Sequence, residues 1–316
     1  MKVIPIYSLR LLLTLNLVVL LVYCILTLTC DNEKQIKKLK KEVSYLQDII
    51  DGENEKSVNE ELLPTIYAIT PTYARWTQKA DLTRLSQTLL HVKNFHWIVV
   101  EDADRKTLLV TKFLSNCGLK YTHLNAKTDQ NFKLKDSDPN WLMPRGVAQR
   151  NTGLTWIRNN ISPQTEGYLY FMDDDNTYDL QLFKEIRTTQ LASAWPVGLS
   201  GGLKFEGPGF CKDGKVLSWY TAWKPERPFP IDMAGFAVNI KLLFQYKEAG
   251  FSNATPRGYL ESHFLTGLHL TINDMEAKAN QCTDILVWHT RTEKAKMKQE
   301  DKLIKLGKPS NPNIEV

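Results

Sequence analysis

Three consecutive aspartates follow a run of apolar residues near the middle of the chain. Residues 168–172 read Tyr-Leu-Tyr-Phe-Met and lead directly into Asp173, Asp174 and Asp175. In an open α/β sheet ligands bind beyond the carboxyl ends of the strands, so acids at such an end point into the site. Carboxylates suit Mg²⁺ or Mn²⁺, which proteins hold with one or two carboxylates together with substrate phosphates. The triplet therefore predicts a nucleotide-diphosphate enzyme, and an acidic turn or helix N-cap is the alternative interpretation.

Polar residues also follow two other predicted strands and begin a predicted helix. Tyr73 and Asp102 each come after an apolar strand, so they fall on the same rim of the sheet as the aspartates. There a tyrosine ring can stack on a base, and an acid can accept its N–H groups. Arg145 and Arg150 can meet phosphate or carboxylate in bidentate fashion. Taken singly, a solvent-facing tyrosine and surface arginines fit these positions equally well.

Two further acids and a cationic strand end could act on a sugar. Inverting transfer needs a carboxylate to deprotonate the attacking hydroxyl, and Asp232 and Glu261 are the candidates. His289 and Arg291 alternate with Thr290 after a short apolar strand, so they could face a diphosphate together. Each acid could instead be a salt-bridge or capping partner, and His289 an ordinary hydrogen-bonded histidine.

The elements that must position these residues alternate between strand and helix after residue 64, which predicts a parallel, nucleotide-binding type of sheet. The predicted strands lie at 66–69, at 97–100, near 121 and immediately before the triplet, and the predicted helices at 78–92, 108–115 and 146–158. After Asp175 the pattern is less regular. The stretches 217–223 and 233–238 predict an acceptor half built from mixed strands and loops.

The N-terminal region predicts a membrane anchor. Residues 11–29 carry no charge, and a helix of about this length spans a bilayer. Lys2 and Arg10 precede the run, so residues 1–10 are expected in the cytosol and the rest of the chain in the lumen. A cleaved signal peptide is the alternative, but the apolar run is longer than usual and no small-x-small cleavage motif follows it.

Residues 30–63 are predicted to form a stem before a lumenal catalytic domain at 64–316. Apolar residues recur in the stem at the a and d positions of a heptad pattern, namely Ile36, Leu39, Val43, Leu46 and Ile50. This seam predicts a short coiled coil that pairs with a second copy of the chain. A solvated single helix is the alternative, because only about two heptads are present.

Composition and cysteine content narrow the class of protein. The chain of 316 residues is 43% hydrophobic and 24% charged, and its net charge of +5 comes without a basic patch interleaved with aromatics, which argues against nucleic-acid binding. Cys117, Cys211 and Cys282 lie in the globular part, where one disulfide and one thiol are expected with the pairing open. Asn253 begins an N-glycosylation sequon, Asn-Ala-Thr.

Four motifs occur together and in order: Phe-Met-Asp-Asp-Asp-Asn-Thr-Tyr, Pro-Arg-Gly-Val-Ala-Gln-Arg-Asn, Arg-Pro-Phe-Pro-Ile-Asp-Met-Ala-Gly-Phe-Ala-Val and Val-Trp-His-Thr-Arg-Thr-Glu-Lys. From about residue 64 onward the chain resembles the animal β-1,3-glucuronyltransferases. The resemblance implies a type II Golgi membrane enzyme with a GT-A fold, made of a Rossmann-like nucleotide-sugar half and a mixed-sheet acceptor half. It also implies UDP-glucuronic acid as donor, Mn²⁺ as cofactor and inversion at the anomeric carbon.

By motif position, the resemblance assigns roles to the donor-site residues. It implies Asp175 as the metal ligand, Asp174 as the partner of the ribose and Asp173 as a contact of the donor sugar. The remaining donor contacts are Tyr73, Asp102 and Arg145 for uracil, and Arg150, His289 and Arg291 for the diphosphate and glucuronate.

The resemblance also assigns the catalytic base and the acceptor contacts. Glu261 matches the family's base. The residues expected around the acceptor sugar are Glu206, Trp223, Arg227 and Asp232, with Gln299 reaching it from the partner subunit of a homodimer.

Within the family, the segments that begin at Thr221 and at His289 are most similar to the branch that caps the proteoglycan linkage region. The expected acceptor is galactosyl-β-1,3-galactosyl-β-1,4-xylose on a core-protein serine, with transfer to the 3-hydroxyl of the terminal galactose. One alternative is transfer to N-acetyllactosamine on glycoproteins. An alternative of another class is a catalytically silent Golgi scaffold or lectin, which would be expected to lose these acids.

Overall fold

The computed structural model describes residues 13–21, 41–47, 63–133, 138, 142–311 and 314–315. The chain divides into two compact units, Met1–Glu60 and Glu61–Val316. Two short helices are described in the first unit, α1 at 13–21 and α2 at 41–47.

The predicted anchor and stem fall mostly outside the described residues. Within the part of the chain that is described, no helix combines the length and the apolar character needed to cross a membrane. Of the predicted heptad positions, only Val43 and Leu46 lie on α2, where Val43 is half-buried and Leu46 is exposed. The anchor and the paired stem therefore stay predictions.

The second unit contains one twelve-stranded sheet and the helices that cover it. The strands are β1 (Thr65–Thr72), β2 (Phe95–Glu101), β3 (Tyr121–Asn125), β4 (Gly167–Phe171), β5 (Thr177–Tyr178), β6 (Ala192–Ala194), β7 (Val197–Gly198), β8 (Phe205–Lys212), β9 (Lys215–Tyr220), β10 (Phe236–Asn239), β11 (Met275–Ala277) and β12 (Val287–Trp288). The helices are α3 (Gln78–Leu89), α4 (Leu108–Asn116), α5 (Val147–Asn160), α6 (Leu180–Ile186), α7 (Lys241–Gln245), α8 (Leu260–Gly267), α9 (Ala279–Cys282) and α10 (Lys298–Lys305). Short 3₁₀ turns lie at Gln130–Phe132, Met233–Gly235 and Ile272–Asp274.

The first half of this unit is a parallel sheet with strand order β3-β2-β1-β4. β1, β2 and β4 are largely buried on both faces because helices cover both sides, whereas the edge strand β3 is mostly half-buried. Ile69 packs in one core cluster with Leu154 of α5, and Ala68 packs in the other with Leu82 of α3. The predicted Rossmann-like half is confirmed.

The second half continues the same sheet with mixed strand directions. β10 runs antiparallel to β4 and β6, whereas β11 runs parallel to β6. β8 and β9 form an antiparallel hairpin beside β11. Together the two halves confirm the predicted α/β architecture of GT-A type, with a nucleotide half and a mixed-sheet acceptor half.

A disulfide between Cys211 and Cys282 joins β8 to α9, and Cys117 is a free, half-buried thiol. One disulfide and one thiol in the globular part were predicted, and that prediction is confirmed. The pairing joins residues separated by 71 positions, which only the fold brings together.

Three local features differ from the sequence prediction. α3 ends at Leu89, short of residue 92, and β12 ends at Trp288, so strand alternation does not continue through His289. The N-cap of α6 is Asp179, whose side chain accepts from the Gln181 amide. The alternative interpretation of the aspartate triplet as a helix N-cap is therefore wrong.

Candidate active site

The carboxyl ends of β1, β2 and β4 meet at one rim of the sheet. In the register of the strands Thr72 pairs with Glu101 and Ile69 pairs with Phe171. Tyr73, Asp102 and the aspartate triplet, each a short step beyond its strand, therefore lie on the same edge, as the sequence predicted.

Asp174 is buried and held on both carboxylate oxygens. Its Oδ2 accepts from the Thr72 hydroxyl at 2.6 Å, and its Oδ1 lies 2.7 Å from Arg75 Nη2. Burial raises the pKa of Asp174 to about 6, against the opposing effects of Arg75 and Thr72. The side chain is fixed at the rim, and its predicted contact with the ribose stays a prediction.

Asp173 pairs with Arg150, whose Nη2 lies 2.8 Å from its Oδ1. Arg150 Nη1 also donates to the Arg145 carbonyl at 2.8 Å. This approach depends on Gly146, which has a φ of +71° and whose added Cβ would lie 2.5 Å from Arg150 Nη1. Arg150 Nε is buried and has no hydrogen-bond partner among the described residues. An unpaired buried donor is costly, so this edge of the guanidinium is suited to an anionic ligand.

Asp175 is half-buried, and in the described part of the chain no side chain donates to its carboxylate or forms an ion pair with it. Burial and the neighbouring charge of Asp173 raise its pKa. Beside it, both side-chain polar atoms of Asn176 are buried without a partner among the residues described. Uncompensated oxygen ligands in this setting fit a hard divalent cation.

Across the described residues there is no group of three or more His, Cys, Asp or Glu side chains that could hold a metal ion. A site of the predicted kind needs fewer protein ligands, because diphosphate oxygens and water complete the coordination of such ions. Asp175 therefore fits the single-carboxylate ligand that the sequence predicted.

The side of the rim that is predicted to bind the base centres on Asp102. Its oxygens accept from the Thr128 amide at 2.7 Å and from the Thr128 hydroxyl at 2.9 Å. Gln149 on α5 donates to that hydroxyl at 3.2 Å. Tyr73 is exposed, and the Arg75 guanidinium lies 4.7 Å from the centre of its ring. The exposed ring and the fixed acid leave a surface that a planar base can occupy.

Three of the predicted acceptor residues, Glu206, Arg227 and Asp232, are joined in one network. Glu206 and Arg227 form a buried pair at 2.5 Å, and Arg227 also donates to the Gly258 carbonyl at 3.1 Å. Asp232 accepts from the Ser200 hydroxyl at 2.7 Å, and Ser200 lies 3.3 Å from Glu206 Oε2. These fixed donors and acceptors can form hydrogen bonds with the hydroxyl groups of a carbohydrate.

His289 belongs to the same network, since its Nδ1 lies 3.1 Å from Asp232 Oδ2. This hydrogen bond raises the pKa of His289 against the effect of burial. Burial alone would raise the pKa of Asp232, but the hydrogen bond and charge of His289, together with the hydrogen bonds from the Ala234 amide and Ser200, lower that pKa. The other ring nitrogen of His289, Nε2, is the one available to contact a diphosphate.

Glu261 lies in the first turn of α8 and is half-buried. Burial raises its pKa to about 7; the charge of Asp232 adds to this effect, while Arg227 and Arg150 oppose it. No other described residue donates a hydrogen bond to its carboxylate. A carboxylate that titrates near neutrality and has no fixed partner is suited to general-base catalysis.

The remaining predicted residues lie at the periphery. Arg145, Arg291 and Gln299 are exposed, and Trp223 carries the Arg257 guanidinium 4.4 Å from its ring centre. The structure joins none of Arg145, Arg291 and Gln299 to the acceptor network through their side chains within the described residues.

The glycosylation sequon at Asn253 lies in the loop before α8. Asn253 is half-buried, and the hydroxyl of Thr255 is buried without a partner in the described part of the chain. Modification at this position stays a prediction.

The sequence prediction did not assign the residues that hold the site residues in place, which are Thr72, Arg75, Asp81, Thr128, Gln149 and Ser200. Arg75 stands in the segment after β1 that already carried Tyr73. Asp81 interrupts the apolar face of α3 between buried positions, and a polar residue there was the one available signal. Thr128 and Ser200 follow no pattern that would distinguish them from other loop residues.

A parallel nucleotide-type sheet with acids at its carboxyl rim, joined to a second half that carries the half-buried Glu261, is the arrangement expected of a glycosyltransferase. The chain belongs to glycosyltransferase family 43, whose model matches residues 85–293.

Curated relatives support this membership. Galactosylgalactosylxylosylprotein 3-beta-glucuronosyltransferase 3 of Mus musculus is 52% identical over 266 residues, which are 81% of this chain and 79% of that protein. Galactosylgalactosylxylosylprotein 3-beta-glucuronosyltransferase I of Drosophila melanogaster is 49% identical, over 82% of this chain and 86% of that protein. Galactosylgalactosylxylosylprotein 3-beta-glucuronosyltransferase 1 of Homo sapiens is 51% identical, over 76% of this chain and 72% of that protein.

Among solved structures, that of S. aureus TarS 1–349 in complex with UDP-GlcNAc is similar to this chain. Its TM-score is 0.48 and its sequence identity is 16%, over 77% of this chain and 65% of that one.

Proposed function

We propose that the protein transfers glucuronic acid from UDP-glucuronic acid to the 3-hydroxyl of the terminal galactose in the Gal-β1,3-Gal-β1,4-Xyl linkage region of proteoglycans, with inversion at the anomeric carbon. Family membership and the names of the relatives support this proposal. The observation that carries it is Glu261, a carboxylate without a fixed partner among the described residues, whose pKa is raised to about 7 beside the acceptor network.

In the proposed reaction Glu261 accepts the proton of the galactose 3-hydroxyl while that oxygen attacks C1 of glucuronate. The C1–oxygen bond to UDP breaks on the opposite face, and UDP leaves with the bonding electron pair. Glu206, Arg227 and Asp232 hold the acceptor sugar, so its hydroxyl is presented to Glu261 with its orientation already fixed.

On the donor side, Tyr73 and Asp102 bind uracil together with Arg145, and Asp174 holds the ribose. Asp173 and Arg150 place the donor sugar and the diphosphate, and the unpaired Nε of Arg150 gives that guanidinium a free donor for an anionic oxygen. The diphosphate is also contacted by His289 and Arg291.

Asp175 would hold Mn²⁺, with diphosphate oxygens and water as the other ligands. The ion would offset negative charge on the departing UDP. The half-buried and uncompensated carboxylate of Asp175 supports this assignment.

We also propose that the protein is a type II Golgi membrane protein and a homodimer. The uncharged run at 11–29, preceded by Lys2 and Arg10, supports the anchor. For the dimer, support comes from α10 and the turn after it, where Leu303, Ile304 and Leu306 are exposed apolar residues. Gln299 of the partner subunit would then reach the acceptor.

An acceptor panel tests the proposed function. The full-length chain in mild detergent, with UDP-glucuronic acid and Mn²⁺, is offered galactosyl-β-1,3-galactose and N-acetyllactosamine separately, and the glycan products are measured. Transfer to the digalactoside alone is the expected result. Transfer to N-acetyllactosamine alone would contradict the acceptor assignment, and the absence of transfer to either would favour a silent scaffold or lectin.

A further inference from the structure

Asp81, in the first turn of α3, is a fully buried carboxylate that receives three donors. Its Oδ2 lies 2.8 Å from Arg75 Nη2, and its Oδ1 lies 2.9 Å from Arg84 Nη2. The Thr292 hydroxyl donates to the same Oδ1 at 2.6 Å, and Arg84 also donates to Thr292 at 3.1 Å. A buried charge is costly unless its partners compensate it, so this set of contacts acts as one unit.

Through Arg75, Asp81 acts on the ribose side of the donor site. Arg75 Nη2 lies between two carboxylates, 2.8 Å from Asp81 and 2.7 Å from Asp174. The Thr72 hydroxyl donates to Asp174 at 2.6 Å, and Gln78 of α3 donates to that hydroxyl at 3.1 Å. The orientation of Asp174 is therefore set by side chains that α3 holds in place.

Through Thr292, Asp81 acts on the diphosphate side. Hydrogen bonds from the hydroxyls of Thr290 and Thr292 hold the segment after β12 in place. The exposed Arg291 lies between these two residues. Thr290 donates to the Asp175 carbonyl at 2.6 Å, and Thr292 donates to Asp81. The backbone on both sides of Arg291 is thereby fixed to the rim.

We propose that Asp81 is a positioning residue of the donor site: it places the ribose-side acid through Arg75 and the arm that carries Arg291 through Thr292. This inference rests on the proposed function, since that function places the nucleotide against these groups. Asp81 itself is buried beneath Arg75 and Thr292 and does not touch the donor.

The connection through Thr292 can be cut alone, and both connections can be cut together. Thr292→Val removes one hydroxyl at nearly constant volume and releases only the arm. Asp81→Asn removes the charge that orients both Arg75 and Thr292. The nucleotides UDP and UMP differ by the β-phosphate, so they report on the two sides of the site separately.

The test is calorimetric titration of the full-length chain with UDP and with UMP in the presence of Mn²⁺. Loss of one hydrogen bond to a charged group corresponds to a change of about tenfold in affinity. Thr292→Val is therefore expected to weaken UDP about tenfold and to leave UMP unchanged, and Asp81→Asn to weaken both by about tenfold or more. Thr83→Val is the matched control, because Thr83 is exposed on the same helix and its hydroxyl bonds only to the Lys79 carbonyl.

Thermal unfolding of each variant separates positioning from loss of fold. If Asp81→Asn does not fold, Thr292→Val alone decides between the outcomes. Unchanged UDP affinity in Thr292→Val, or equal weakening of UDP and UMP, would overturn the proposal. Failure of the wild-type protein to bind UDP would overturn the proposed function as well, so the two failures are distinguishable.

Discussion

Two carboxylates of the acceptor side, Glu261 and Asp232, are charged to different extents because their partners differ. Asp232 accepts from Ser200, from His289 and from the Ala234 amide, which keep its pKa low although it is buried. Glu261 accepts only from its own amide among the described residues, so burial dominates and raises its pKa to about 7. Because their pKa values differ in this way, the two acids can have different roles: Asp232 can bind the acceptor and Glu261 can take its proton.

The activity is expected to depend on pH through Glu261. The base must be ionised, and its pKa of about 7 means that most molecules carry the protonated, inactive form below that pH. We expect kcat/KM to fall about tenfold for each pH unit below 7. Steady-state rates from pH 5 to 8 would check this, with Glu261→Gln as the control that lacks the titration. A profile that stays flat down to pH 5 would contradict the assignment.

At single positions, the sequence pointed to the groups that are proposed to meet the ligand, but not to the groups that orient them. The aspartate triplet was predictable because acids at the end of an apolar strand have few other roles. The contact between Thr292 and Asp81 was not, because the two residues are 211 positions apart and each is ordinary in its local segment. His289 was predicted from strand alternation, but β12 ends before it and its contact with Asp232 fixes it instead.

Among the elements, the buried parallel strands were the most predictable and the acceptor half the least. β1, β2 and β4 are apolar runs covered on both faces, so their sequences are nearly continuous in apolar residues. Several strands of the second half are very short, and β5, β7 and β12 contain two residues each, too few for any periodic pattern. Their pairing depends on partners that are distant in sequence.

The disulfide between β8 and α9 should stabilise the acceptor half. Cys211→Ser removes a link across 71 residues, which is expected to lower the free energy of unfolding by about 2–4 kcal/mol. Thermal unfolding of the full-length variant measures this. Cys117→Ser is the control, because Cys117 is a free thiol. Equal melting temperatures for wild type and Cys211→Ser would contradict the stabilising role.

On the scale of the whole second unit, one continuous sheet carries both halves of the site. β4 leads into the aspartate triplet, and its antiparallel neighbour β10 follows directly on the turn that carries Asp232. Donor and acceptor groups are therefore positioned by adjacent strands of one core. This arrangement would fix the proposed donor and acceptor relative to each other.

The central claim is that Glu261 is the base of a glucuronyl transfer, and the most direct test is Glu261→Gln in the full-length chain. Glutamine keeps the size of the side chain and cannot accept the proton, so turnover of UDP-glucuronic acid with galactosyl-β-1,3-galactose should fall about 100-fold or more. The affinity for UDP, measured on the same sample, should be unchanged. Turnover close to that of the wild type would contradict the account.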